Sequence, residues 1–196
     1  YGDEATDVPG CVKNGIDEKT ANKIYDEMID FAKYAFNKSH AAAYAVVAYQ
    51  TAWLKYYYPV EFMAALMTSV IENPSKVAEY IYACRQMNIK ILPPDINKGE
   101  ADFSVDGGDI RYGLAAIKSI GRPVVQAVIK EREAFGVFKN LEDFITRLSP
   151  KDVLNKRTIE NLIKAGALDT LGGTRKQFMS IYIQIVDHVN QEKKYS

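Results

Sequence analysis

The alternation of apolar and polar positions predicts a mostly helical chain interrupted once by extended structure. Asn14-Gly15 reads as a turn and Asp17 as an N-cap. Ala21, Ile24, Tyr25, Met28, Phe31 and Ala32 then recur at helical spacing, so one face of that first helix is expected to be buried. After Asn37-Lys38-Ser39 comes a helix that is apolar on nearly every side, the pattern of an element surrounded by others in a core. Pro59 ends it and opens a helix to Ile71. Asn73-Pro74-Ser75 breaks the chain again before a helix from about Lys76 to Met87. Residues 11–88 are thus expected to form a four-helix unit.

From Ile89 to Asn97 the character changes, because Pro93-Pro94 blocks a helix and favours an extended path. Phe103-Ser104-Val105 and Ile110-Arg111-Tyr112 flank Asp106-Gly107-Gly108-Asp109, whose glycines suit a hairpin turn. This hairpin is the one β element expected. Short helices follow: one ending near Ser119, then Pro123 to Ala134, Leu141 to Leu148, Lys156 to Lys164, and a last one whose start is marked by Thr174 and Gln177 as a capping box.

Composition refines this picture. The 196 residues are 47% hydrophobic, enough to bury a substantial core. The longest apolar stretch, Ala41 to Trp53, contains Gln50 and is followed by Lys55. It falls short of the roughly 20 residues a membrane span needs, so no membrane is expected. Cys11 and Cys84 show neither metal-ligand spacing nor a disulfide framework, which suits inert thiols in a cytoplasmic protein. Net charge is zero, yet residues 1–110 hold 10 Lys+Arg against 16 Asp+Glu and residues 111–196 hold 15 against 9, giving −6 and +6. The second half is the expected nucleic-acid surface. With no initiator Met, no signal peptide and a polar run at the end, the chain is expected to be a piece of a longer protein, with helix faces in residues 1–110 left exposed.

Two stretches carry candidate chemistry. Phe36 to Ala45 sets a basic, hydroxyl-bearing turn against a helix start, where unpaired amides and the macrodipole favour an anion and Lys38 and His40 add donors. On spacing alone the plainer reading, Ser39 as a cap with Lys38 solvated and His40 at the surface, is favoured. Tyr44, four residues after His40 on the same face, is placed to stack on a base. Ile117-Lys118-Ser119-Ile120-Gly121-Arg122-Pro123 has the layout of a helix-hairpin-helix. In that layout a tight turn offers amides to a phosphate, and a glycine gives positive φ and lets a DNA backbone approach. The pattern departs from Gly-hydrophobic-Gly at Ser119, and a purely structural turn also fits. A looser second copy spans Thr158 to Lys176 and has the weaker basic flank.

Ordered blocks of sequence resemble bacterial replicative polymerases of the DNA polymerase III alpha-subunit family, of the DnaE type. They are Phe36-Asn37-Lys38-Ser39-His40-Ala41-Ala42-Ala43-Tyr44-Ala45, Ala48 to Lys55, Tyr58 to Ala65, Lys90-Ile91-Leu92-Pro93-Pro94-Asp95-Ile96-Asn97, Tyr112 to Lys118, Leu154 to Arg157, and Leu162 to Asp169. The related PolC enzymes differ in the Tyr-Gln-Thr and Leu-Pro-Pro-Asp-Ile-Asn blocks. The resemblance implies a helical fingers portion (1–98), an extended segment and hairpin (99–112), and a tandem helix-hairpin-helix DNA-binding domain (113–196). It implies incoming-nucleotide contacts from Asn37, Lys38, Ser39, His40 and Tyr44, and duplex-backbone contacts from Lys118, Ser119, Ile120, Gly121 and Arg122. The implied partners are primer-template DNA, a deoxynucleoside triphosphate, the rest of the polymerase and, through other regions, replisome proteins such as the sliding clamp. In such polymerases Mg ions sit on palm aspartates. No acidic cluster of that kind is recognisable here, so no catalytic or metal residue and no cofactor is assigned, and the piece alone is expected to be inactive. Two other classes fit parts of the pattern: a free-standing helix-hairpin-helix module of a repair protein, and a structural helical interaction domain.

Overall fold

The structure, a computed structural model, describes residues 2–33, 38–149 and 153–195. The chain divides into two compact units, Tyr1–Ala52 and Trp53–Ser196. The described residues are mostly α-helical, with one small sheet.

The first unit opens with a 3-10 turn, Glu4–Thr6, capped by the Asp3 carboxylate, which accepts from the Ala5 amide at 3.0 Å. Helix α1 (Glu18–Lys33) starts where Asp17 accepts from the Thr20 amide at 2.9 Å; the Thr20 hydroxyl and that amide hold the Asp17 carboxyl below its ordinary range. Helix α2 runs Lys38–Tyr57. Neither α1 nor α2 contains a buried residue. The buried faces expected of these two helices are therefore not found, and Tyr25, Met28, Phe31, Val46 and Tyr49 stand exposed. Apolar periodicity reports that a face needs a partner; it does not say that the partner lies nearby in sequence.

The second unit carries two hydrophobic clusters. Helices α3 (Pro59–Ser69) and α4 (Pro74–Gln86) are each started by a proline at a position where no amide is needed, and Asn73 caps α4 by accepting from the Lys76 amide. They enclose Met63, Met67, Val77 and Cys84 against Phe103 and Ile110. Burial pushes the Cys84 thiol above its ordinary range, which suppresses the reactive thiolate. The hairpin forms with strands β2 (Ser104–Asp106) and β3 (Asp109–Arg111) around Gly107-Gly108, Gly107 at φ 69°. A third strand, β1 (Ile91–Leu92), pairs in parallel with β3, Ile91 opposite Ile110. The expected extended path from Ile89 is thus part of a three-stranded sheet of order β1-β3-β2, a pairing that a two-residue strand cannot announce by periodicity.

The larger cluster is built by α5 (Arg122–Phe135), α6 (Leu141–Leu148), α7 (Lys156–Ala165) and α8 (Arg175–Tyr195). Phe138, Phe144, Leu148, Ile163 and Leu168 lie at its centre. Thr174 and Gln177 make the capping box in both directions, the Thr174 amide donating to Oε1 at 2.9 Å and the Gln177 amide to Oγ1 at 3.2 Å. Arg147 clasps α5 to α6: it pairs with Glu131 at 3.1 Å, donates to the Glu131 and Gly136 carbonyls, and lies 4.3 Å from the Phe138 ring centroid.

The segment Pro93 to Gly99 ties these parts together. Ile96, fully buried, belongs to the helical cluster, and its amide donates to the Ala167 carbonyl at 3.0 Å. The Asn97 carboxamide donates to the Phe138 carbonyl at 2.9 Å and accepts from the Phe138 amide at 2.8 Å, replacing a strand partner across 41 residues. Arg132 donates to the Ile96 and Gly99 carbonyls, and Arg111 to the Pro93 carbonyl. Removing the Asn97 carboxamide strands two backbone groups at once. Asn97→Ala should therefore lower the stability of the second unit by about 2–3 kcal/mol, read as a lower denaturation midpoint at unchanged slope.

Candidate nucleic-acid interface

A 3-10 turn, Leu114–Ala116, leads into a tight connection, Ile117 to Gly121, and then into α5. Apolar residues fix the turn at both ends, since Ile117 and Ile120 are buried, and the Ile120 amide donates to the Ile117 carbonyl at 3.1 Å. Of the expected contact residues, Lys118, Ser119, Gly121 and Arg122 are exposed, whereas the Ile120 side chain points into the core. The Asn161 carboxamide, from α7, donates to the Lys118 carbonyl at 3.2 Å and so steadies the turn from the second hairpin.

The backbone conformation reverses the roles expected of the two pattern positions. Ser119 has φ +64°, the left-handed region that favours glycine. Gly121 has φ −80° and ψ 152°, open to any residue, and a Cβ added there would meet only Pro123 Cδ at 3.5 Å, ordinary contact. The fold itself does not require glycine at 121. Gly121 is also the N-cap of α5 without a side-chain cap, and among the described residues no backbone acceptor faces the amides of Ser119, Gly121 and Arg122. Uncapped amides in an exposed turn that also carries Lys118 are chemistry that favours an anion.

The second hairpin is organised differently. Gly166 closes α7 in the left-handed conformation at φ 83°, with its amide donating to the Ile163 carbonyl and that of Ala167 to the Leu162 carbonyl. An added Cβ at 166 would run into the Arg175 guanidinium, which is locked to Asp169 by hydrogen bonds at 2.6 and 2.9 Å. This glycine is demanded from within, and the nearby arginine is already engaged.

The same holds for much of the basic half. Arg111, Arg122, Arg132, Arg147, Lys156, Lys164 and Arg175 all form ion pairs, seven of the 15 basic residues in 111–196. Lys118, Lys130, Lys139, Arg157 and Lys176 form none among the described residues. Lys118 is the one of these that adjoins the hairpin amides.

At the other stretch, Phe36 and Asn37 lie outside the described residues. Lys38, Ser39 and His40 are exposed in the first turn of α2, which holds no acidic residue. Ser39 thus sits inside the helix and not at the cap position. The Tyr44 ring, largely exposed, lies with its centroid 4.4 Å from that of His40, the two rings tilted by 48°. No group of three or more His, Cys, Asp or Glu among the described residues is placed to hold a metal, and no step of metal chemistry is assigned to this chain. No helix among them is long and apolar enough to cross a membrane.

Relief of the left-handed strain gives a test of the hairpin geometry. Ser119→Gly is expected to stabilise the chain by about 0.5–1 kcal/mol, and Gly121→Ala to change stability by less than about 0.5 kcal/mol, both by chemical denaturation. Destabilisation by Gly121→Ala would show that the glycine serves packing after all.

A helix-hairpin-helix motif family matches residues 88–178. DNA polymerase III subunit alpha of Thermus aquaticus is 48% identical over 174 residues, 89% of this chain and 14% of that protein. The subunit of Vibrio cholerae is 51% identical over 172 residues, 87% of this chain and 15% of that protein, and that of Escherichia coli K12 is 49% identical over 172 residues. The chain thus spans about one-seventh of the length of the curated relatives it matches. Relatives 48–51% identical over 87–89% of its length place the chain in the bacterial DNA polymerase III alpha-subunit family.

Proposed function

We propose that this chain is the part of a replicative DNA-directed DNA polymerase that grips duplex DNA by its backbone and lends the fingers a contact for the incoming nucleotide. Residues 113–196 are the tandem helix-hairpin-helix grip, residues 1–98 the later fingers, and the sheet segment between them the join. The single observation that carries the DNA reading is Gly121: its conformation and surroundings accept a side chain, yet it has none, directly before the uncapped amides of α5 and beside Lys118. A phosphate fits that opening. Such contacts carry affinity and not sequence information, so binding is sequence-independent and falls steeply with salt.

The second hairpin, whose glycine and arginine are used internally, is chiefly a support for the first. At the head of α2, Lys38, Ser39 and His40, with Asn37, approach the triphosphate, and Tyr44 the base. Their part is positioning and charge stabilisation, since among the described residues no acidic or histidine cluster is placed to hold a metal. A free-standing repair module is less well supported, because the relatives align over 84–89% of the chain, well beyond residues 88–178.

Two measurements test the two halves. Lys118→Ala should weaken duplex binding uniformly across unrelated sequences and reduce the slope of log affinity against log salt by about one. Gly121→Ala should weaken binding several-fold with its melting temperature held; parent-like affinity and slope for both variants would make the first hairpin structural. In the full polymerase, Lys38→Ala should raise the nucleotide KM or lower kcat at unchanged DNA affinity, and an unaltered kcat/KM for nucleotide would remove Lys38 from the site.

A further inference from the structure

Arg122 is the second basic residue of the hairpin, yet its guanidinium does not face solvent alone. Its Nη2 lies 2.7 Å from Asp102 Oδ1, a residue 20 positions earlier in the chain. Glu72, at the α3–α4 turn, adds a second negative field at the same guanidinium. Both members of the pair are about half exposed, 53% and 43% of their side-chain surface, so water and other anions reach them.

The Asp102 backbone, in contrast, is fixed. Ala101 before it and Phe103 after it are buried. The Leu114 amide donates to the Glu100 carbonyl at 2.9 Å and the Ala115 amide to the Ala101 carbonyl at 3.0 Å; the Phe103 amide donates to Thr68 Oγ1 at 3.2 Å. Gly113 packs so closely on this segment that a Cβ there would lie 2.8 Å from the Asp102 carbonyl carbon. The carboxylate is therefore held beside the hairpin whether or not a ligand is bound, while the long arginine side chain is free to change partner.

We propose that Asp102 is an affinity-setting residue for the hairpin: a built-in carboxylate that occupies Arg122 in the free protein and competes with a DNA phosphate for it. The proposal rests on the reading of the hairpin as a duplex grip. When DNA arrives, Arg122 exchanges one anion for another, and Asp102 is left to recruit a cation from solution. The net counterion release attributable to Arg122 is then close to nothing, and the grip is weaker and less salt-dependent than its two basic residues imply. Exposed pairs of this kind are individually weak, so the brake is a few-fold effect and not a lock.

The test is a double-mutant cycle on the 196-residue chain with a duplex of arbitrary sequence, titrated at several salt concentrations. Asp102→Asn should raise affinity roughly two- to fivefold at low salt and steepen the salt slope by up to about 0.9, and both changes should vanish in an Arg122→Ala background. Asp102→Ala should act in the same direction, with melting curves confirming the fold of each variant. An equal gain in the Arg122→Ala background would mean a general effect of lost negative charge and overturns the proposal. So does an absent gain while Lys118→Ala still weakens binding. If neither Lys118→Ala nor Gly121→Ala affects binding, the duplex-grip reading itself has failed and this proposal falls with it.

Discussion

The second unit depends on one side chain standing in for backbone. Asn97 closes a two-way hydrogen-bonded pair with Phe138 that, with the Ile96 amide on the Ala167 carbonyl, knits a segment carrying two prolines into the helical core. Proline removes amides, so this stretch has few donors of its own to offer. The deficit is met from outside, by Arg111 on the Pro93 carbonyl and Arg132 on the Ile96 and Gly99 carbonyls. Asp95 contributes the reverse sense, its buried carboxylate accepting from the Asn97 amide at 2.8 Å and the Thr170 hydroxyl at 3.1 Å. Sheet, α5, the α5–α6 loop and the second hairpin all converge on the seven residues Pro93 to Gly99.

Charge along the sequence gave a misleading impression of charge in space. Dividing the chain at residue 110 yields −6 and +6, but the cut separates Arg111 from Asp106, Arg122 from Asp102 and Arg132 from Glu100. Acids at 100–106 belong electrostatically with the basic half. What remains uncompensated near the first hairpin is chiefly Lys118. In the proposed reading, one uncompensated cation and open amides give a grip with a shallow salt dependence, since each phosphate neutralised adds only about 0.9 to the slope.

Much of the fold was legible because local rules decided it. Asp17, Asn73 and the Thr174–Gln177 box mark helix starts that the structure reproduces, and the paired glycines at 107 and 108 locate the hairpin turn. These signals need only neighbours in the chain. β1 was read as extended but not as a strand, since two residues have no period to detect. The burial expected of α1 and α2 failed for the opposite reason: their apolar stripes are strong, but stripe strength contains no information about where a partner lies. At the candidate interface the residues were legible and their conformations were not. The pattern Ser-Ile-Gly placed the turn correctly, yet only the backbone shows that the strain falls on Ser119 and the unused freedom on Gly121.

That inversion sharpens what a glycine means in a binding turn. Gly166 and Gly121 are alike in sequence terms, each between small or apolar neighbours in a hairpin. Gly166 is held by its own positive φ and by Arg175, so its identity is explained without a ligand; nothing among the described residues requires a glycine at 121. An open conformation, an uncapped helix start and clear space are the conditions under which a missing side chain serves something outside the protein. Ser119 fits the same logic from the other side. A left-handed non-glycine residue costs of order 1 kcal/mol, and the turn tolerates it because Ile117 and Ile120, both buried, fix the backbone around it. The hairpin is thus preorganised by its apolar anchors, and in the proposed reading its polar face serves contact with a phosphate.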